Sequence, residues 1–136
     1  MRLAIIALII ILAINLVGGL YYNLYKFPWF DATLHFSGGV FVALLFSQYL
    51  KPHFRPNSKM ANMLIIVGAT MLIGVVWEFT EYTADHIIKP PLRAAYGPKV
   101  PNFMGDLDDT ISDLLLDTLG AMFLAGLLVG IRKKTS

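Results

Sequence analysis

The sequence predicts an all-α fold: a polytopic membrane protein built as a bundle of four transmembrane helices. Three observations lead there. Of 136 residues, 57% are hydrophobic and 15% charged, against about 25% charged in soluble domains. Mean hydropathy is +0.65. The apolar residues also gather in four runs, each near the roughly 20 residues a helix needs to cross the bilayer core. These spans, about 3–22, 32–50, 60–82 and 110–131, form a single transmembrane domain. The chain has no cysteine, which excludes disulfides and thiolate metal ligands. A net charge of +2 is too small to point to nucleic acid, so the basic residues matter for orientation instead.

Residues 3–20, LAIIALIIILAINLVGGL, carry no charge. The run is longer than a secretory apolar region and lacks a small-x-small cleavage site, so it reads as a retained first span. Tyr21, Tyr22, Tyr25 and Trp29 predict an aromatic belt at the membrane–water boundary, and Pro28 favours a break there. The second span opens DATLHFSGG, with Asp31 and His35 one turn apart on one face and Gly38 and Gly39 leaving room for a neighbouring helix. For this histidine, a structural hydrogen bond between helices and a functional role are equally open.

The basic segment Lys51–Lys59 links to the third span, Met60 to about Tyr82, where Gly68, Ala69 and Gly74 are small packing positions. Near its far end WEFTEY places Glu78 and Glu81 three apart, with Asp85 at i+7. Ile87–Gly105 contains four prolines and Gly97 and is expected to be a long irregular loop, a functional lid or a disordered segment. In the fourth span, Gly126 and Gly130 make a small-xxx-small pair, a candidate face for a homo-oligomer.

The last span begins DLDDTISDLLLDTLG. Asp106, Asp109, Asp113 and Asp117 share one narrow helical stripe, since residues advance by about 100° each. Capping and the helix dipole account for the first acids, Asp106 above all. They do not account for Asp113 and Asp117, one and two turns further in. Carboxylates there are costly and need a partner or a ligand.

Four spans put both termini on one side. Arg2, Lys51, Arg55, Lys59, Arg132, Lys133 and Lys134 share that side; Lys26, Lys89, Arg93 and Lys99 lie on the other. Seven against four places the termini in the cytoplasm. Asp31 and His35, Glu78 and Glu81, and Asp109, Asp113 and Asp117 then all lie at the extracytoplasmic end, each within two turns of the boundary, roughly 10 Å. A path through the membrane would need polar groups in the cytoplasmic half, where only Asn15, Asn62 and Thr70 are candidates.

So many carboxylates cannot all stay ionised in a poorly hydrated site. Some hold protons, or a cation neutralises them. Oxygen ligands with one imidazole suit a divalent metal, Mg²⁺, Mn²⁺, Ca²⁺ or a carboxylate-rich Zn²⁺ or Fe²⁺ site. Candidate ligands are Asp31, His35, Glu78, Glu81, Asp109, Asp113 and Asp117, with Asp113 the strongest. Arg93 or Lys99 from the outer loop is the alternative positive partner. Glu78, Glu81 and Asp113 are candidate catalytic groups, with Glu78 as general base.

The motifs DATLHFSGG, WEFTE and GDLDDTISDLLLDTLGA resemble the bacterial membrane family typified by the inner-membrane protein YjdF. More distantly they are similar to the VanZ-like family, associated with glycopeptide (teicoplanin) resistance. Asp31, His35 and Phe36, then Glu78, then Asp113 and Gly120 match the VanZ-like pattern. Ala32, Glu81 and Asp117 replace its lysine, glutamine and asparagine. The resemblance covers roughly residues 28–126 and implies a four-helix membrane protein, with no established reaction. The leading expectation is a metal-dependent hydrolase or transferase in a bacterial or archaeal inner membrane, acting on a membrane lipid or lipid-linked envelope precursor. A proton- or cation-coupled transporter and a non-catalytic lipid-binding or structural protein are the alternatives.

Overall fold

A computed structural model describes residues 1–97, 100 and 102–132. Helix α1 (Arg2–Ile14) widens into a π-helical stretch, Asn15–Tyr21, and a short 3-10 turn at Leu24–Lys26 leads to α2 (Pro28–Tyr49). Helix α3 (Lys59–Thr83) runs through a π-helical turn, Ala84–Ile88, into α4 (Lys89–Tyr96), and α5 (Leu107–Arg132) completes the chain. Among the described residues there is no strand. Four helical stretches, Arg2–Gly19, Pro28–Tyr49, Lys59–Tyr96 and Leu107–Leu128, are long and apolar enough to cross a membrane.

The connections follow local chemistry. Asn23 takes the left-handed backbone angle, φ 53°, that lets the chain reverse after the π turn; Asn tolerates it better than most residues. Pro28 stands at the start of α2, where its fixed φ helps and its missing N–H costs nothing. Asp106 caps α5, its Oδ1 accepting a hydrogen bond from the Asp109 N–H at 3.0 Å.

One expectation fails here. Ile87–Gly105 is not an irregular loop throughout, because the helix that begins at Lys59 continues to Tyr96. Pro90 and Pro91 fall in the first turn of α4, the one place a helix accepts them, and the π turn before them re-registers the backbone. The helix stops only at Gly97, whose φ of 83° suits glycine. Lys89 then ties the corner to Asp85 at 2.7 Å, and Asp85 Oδ1 accepts the Phe103 N–H at 2.7 Å.

Burial is inverted relative to a soluble bundle. Ile6, Ile9 and Ile10 of α1, Leu64, Leu72 and Phe79 of α3, and Ile111, Leu115 and Phe123 of α5 all point outward. The buried set includes Asn15, His35, Thr70, Glu78, Asp113 and Asp117. Apolar faces outside and polar groups inside are what lipid as solvent requires.

Helix α5 packs most extensively on α2 and then α3, while α1 packs chiefly on α2. At the α2–α5 crossing a Cβ on Gly39 would run into the Asp117 backbone, and one on Gly120 would meet the backbone of Phe36 and Val40. The two helices touch main chain to main chain, and Ala43 and Ala121 continue the seam into the other half with Ile66. Gly74 gives α5 similar room on α3, where a Cβ would strike the Asp117 carboxylate. Gly68 has no neighbour within 4 Å and is no packing position within the bundle.

Candidate functional site

The site forms where α2 and α5 begin and α3 approaches its π turn. Asp31 and His35 are one turn apart on α2, so both face α5 and α3. His35 is buried, and its two ring nitrogens look in different directions. Nε2 stands 3.8 Å from Asp31 Oδ1 and 3.7 Å from Asp113 Oδ2. Nδ1 stands 3.6 Å from Asp117 Oδ2. All three separations are longer than hydrogen bonds.

One donor atom each from Asp31, His35 and Asp113 lies within 4.8 Å of the other two. Three atoms so spaced surround a point roughly 2.2–2.4 Å from each, between the Mg²⁺ and Zn²⁺ distances of about 2.0–2.2 Å and the Ca²⁺ distances of about 2.3–2.6 Å. The donor set is one imidazole nitrogen and two carboxylate oxygens.

Glu78 is buried beside this group, and its Oε1 has no hydrogen-bond partner among the described residues. Thr110 Oγ1, near Glu78 across the α3–α5 contact, is also buried without one. The two side chains stand close enough for the Thr110 hydroxyl to turn toward the Glu78 carboxylate. Glu81 is committed differently: its Oε1 accepts the Trp77 Nε1–H at 2.9 Å. Asp109 sits at the exposed rim near Asp31 and Glu78. Asp85 is drawn into the α3–α4 corner, away from the group.

Among the described residues, the outer cations nearest the site are engaged elsewhere. Arg93 donates to the Val100 carbonyl and the Asn102 side chain, and Lys89 is paired with Asp85. Lys99, the other expected partner, lies outside the described residues, as do Lys133 and Lys134. Among the described residues the buried carboxylates face one basic group, His35.

Two side chains join the site that sequence reasoning assigned elsewhere. Tyr25, expected in the aromatic belt, turns inward: Tyr21, Tyr22 and Trp29 stay exposed, while Tyr25 is half-buried beside Asn15, within the field of the Asp31, Glu81 and Asp113 carboxylates. Burial and then those carboxylates raise its pKa, against the Asn15 contact, so the phenol holds its proton. Asn15, grouped in sequence with the polar residues away from the site, belongs to it. The available signal was the pair Gly18–Gly19: a Cβ on Gly19 would collide with the Tyr25 ring, and one on Gly18 would crowd Phe30.

Asn62 is at the opposite end, its amide paired with the backbone of Arg55 on both sides. Gly126 has no neighbour within 4 Å, and the surroundings of Gly130 lie outside the described residues.

The sequence model of a family described as "Predicted membrane protein (DUF2238)" matches residues 1–134. A protein of Thermotoga maritima, described as uncharacterized, is 33% identical over 125 residues, which is 88% of this chain and 57% of the relative. The chain therefore spans little more than half the length of that relative. No solved structure matches.

Proposed function

The chain belongs to the DUF2238 family of predicted membrane proteins, and from that premise we propose an intramembrane divalent-metal site that works on a lipid or lipid-linked envelope precursor by hydrolysis or group transfer. The observation carrying this reading is the convergence of Asp31 and Asp113 on His35 Nε2 beside a buried, unpartnered Glu78 oxygen. Asp31, His35 and Asp113 are the ligands. Asp117, on the other ring nitrogen, fixes the tautomer and ring orientation, the usual task of a carboxylate behind a ligating histidine.

A bound divalent ion would acidify a water and polarise a phosphoryl or acyl oxygen. Glu78 has a free oxygen to take the proton of that water, while Glu81, held by Trp77, keeps the rim acidic. Tyr25 and Asn15 offer hydrogen-bond donors to the polar part of a substrate. The excess of basic residues near the termini and at Lys51–Lys59 favours an outward-facing site, with both termini in the cytoplasm of a bacterial or archaeal cell.

The likeness to YjdF-type proteins agrees with the family assignment. The VanZ-like similarity rests on the matched residues Asp31, His35, Phe36, Glu78, Asp113 and Gly120 alone. A transporter would need a polar path onward from His35 and Asp117. The described interior beyond them offers Thr70, whose hydroxyl already donates to the Ile66 carbonyl at 2.9 Å.

The test is conversion of phospholipids and polyprenyl-linked precursors, followed by mass spectrometry, by wild type and Glu78→Gln. Metal-dependent product should form, with turnover reduced about 10²–10⁴-fold in the variant if Glu78 is the general base. Absence of any metal-dependent product would leave a binding or structural protein as the better account.

A further inference from the structure

A cavity of about 270 Å³ lies directly beneath the candidate site, and His35 and Asp117 form its upper end. Its walls are Leu8 and Ile11 from α1, Gly38 and Val42 from α2, and Ile73 and Trp77 from α3. From Leu8 to Asn15, from His35 to Val42 and from Thr70 to Trp77, each wall covers eight residues of helix, about 10 Å along the membrane normal. The polar atoms sit at the top and the lower walls are almost wholly hydrocarbon.

The cavity has a mouth. Leu12 and Ile73, from opposite walls, are 43% and 41% exposed on faces that meet lipid, and α1 leans on α2 rather than closing against α3. Its lining runs from His35 and Asp117 near the boundary to Leu8, Val42 and Thr70 nearer the bilayer centre. That is the direction taken by the chains of a lipid in the leaflet on the site's side, with the headgroup held at the boundary.

We propose that this cavity seats a hydrocarbon chain of a lipid from that leaflet, entering sideways between α1 and α3 with its headgroup delivered to Asp31, His35 and Asp113. The inference rests on the metal-site reading only for the fate of the headgroup; chain seating stands on the cavity itself. An apolar chain fits where water does not: the lower walls would leave water without hydrogen-bond partners, whereas alkyl groups gain dispersion contacts with Leu8, Val42 and Ile73. The substrate class narrows accordingly to molecules carrying a long apolar chain, and soluble phosphate or acyl compounds are excluded.

The chain carries two tryptophans, and Trp77 lines the cavity, so Trp29→Phe leaves a single reporter at the site. This protein, full length in an unbrominated detergent with Mg²⁺, is titrated with phosphatidylglycerol brominated on its acyl chains. Quenching of Trp77 should saturate near equimolar lipid. Gly38→Leu should abolish the saturable part, because the new side chain would project into the cavity. At Gly38 a Cβ meets only Asp117 Oδ1 at 3.9 Å, and leucine improves on glycine in a helix, so this variant should fold. Val42→Phe plugs the deeper end as an independent check.

Quenching that rises without saturation, or that saturates equally in both plugged variants, would overturn the proposal. Asp113→Asn separates the two readings: it should lose the metal yet keep saturable quenching. Saturable quenching with no metal bound to wild type would sink the metal reading alone. Bound metal without saturable quenching would sink the chain-seating proposal alone.

Discussion

His35 has two ring nitrogens with separate duties. Nε2 faces Asp31 and Asp113, and Nδ1 faces Asp117. Asp113→Asn and Asp117→Asn are therefore expected to behave differently, although the two acids lie one turn apart and are both buried. The first should abolish metal binding. The second should weaken affinity about 10–100-fold, the usual effect of losing a carboxylate behind a ligating histidine. Isothermal titration with Zn²⁺ and Mn²⁺ reads both; identical losses would mean Asp117 is itself a ligand.

At this scale the sequence was informative where function follows helical spacing. Asp31 and His35, Glu78 and Glu81, and Asp113 and Asp117 could be assigned to shared faces from register alone. Tyr25 and Asn15 could not, because they meet through a π-helical turn and the left-handed Asn23, neither of which hydrophobic periodicity reveals.

The helices approach so closely that two adjacent glycines on α2 have opposite tolerances. Gly39 lies against the Asp117 backbone, whereas Gly38 opens into the cavity. Gly39→Val should destabilise the bundle by about 1–3 kcal/mol, as overpacking does in other close-packed cores, and should displace Asp117 from His35. Gly38→Leu should unfold no earlier than wild type. Thermal unfolding in detergent compares them, and equal melting temperatures for the two would contradict the α2–α5 crossing. The pair Gly38–Gly39 was legible as a place of close approach; which of the two makes the contact depends on helix rotation, which the sequence does not encode. The α3–α4 continuation was misread for a related reason: prolines signal a break unless they occupy a first turn, and Pro90 and Pro91 do so only because a π turn precedes them.

The buried ionisable side chains His35, Glu78, Asp113 and Asp117 all lie in one half of the molecule. The seam of Ala43, Ile66 and Ala121 holds the helices together in the half away from the site. Buried ionisable groups confined to one end suit work on a lipid at a single membrane face better than passage through it. Which face follows from charge: the segment Lys51–Lys59 should be cytoplasmic and the α4 corner outside. Single cysteines at Asn57 and Tyr96, probed with an impermeant thiol reagent on intact cells, should label only at Tyr96. Labelling at Asn57 alone would invert the protein and move the site to the cytoplasmic face. The four-span architecture was clear from hydropathy, since about 20 apolar residues have few other uses.

The most direct test is the metal itself. Protein purified without added metal, loaded in turn with Mg²⁺, Mn²⁺, Ca²⁺ and Zn²⁺ and freed of excess, would be measured for bound metal and for thermal stability with and without chelator. The site predicts a stoichiometric divalent ion in wild type and none in His35→Gln or Asp113→Asn. It also predicts a stabilisation of about 2.7 kcal/mol when free metal is one hundred times Kd, reversed by chelation. Wild-type stability indifferent to all four ions and to chelator, or equal metal content in Asp113→Asn, would contradict it.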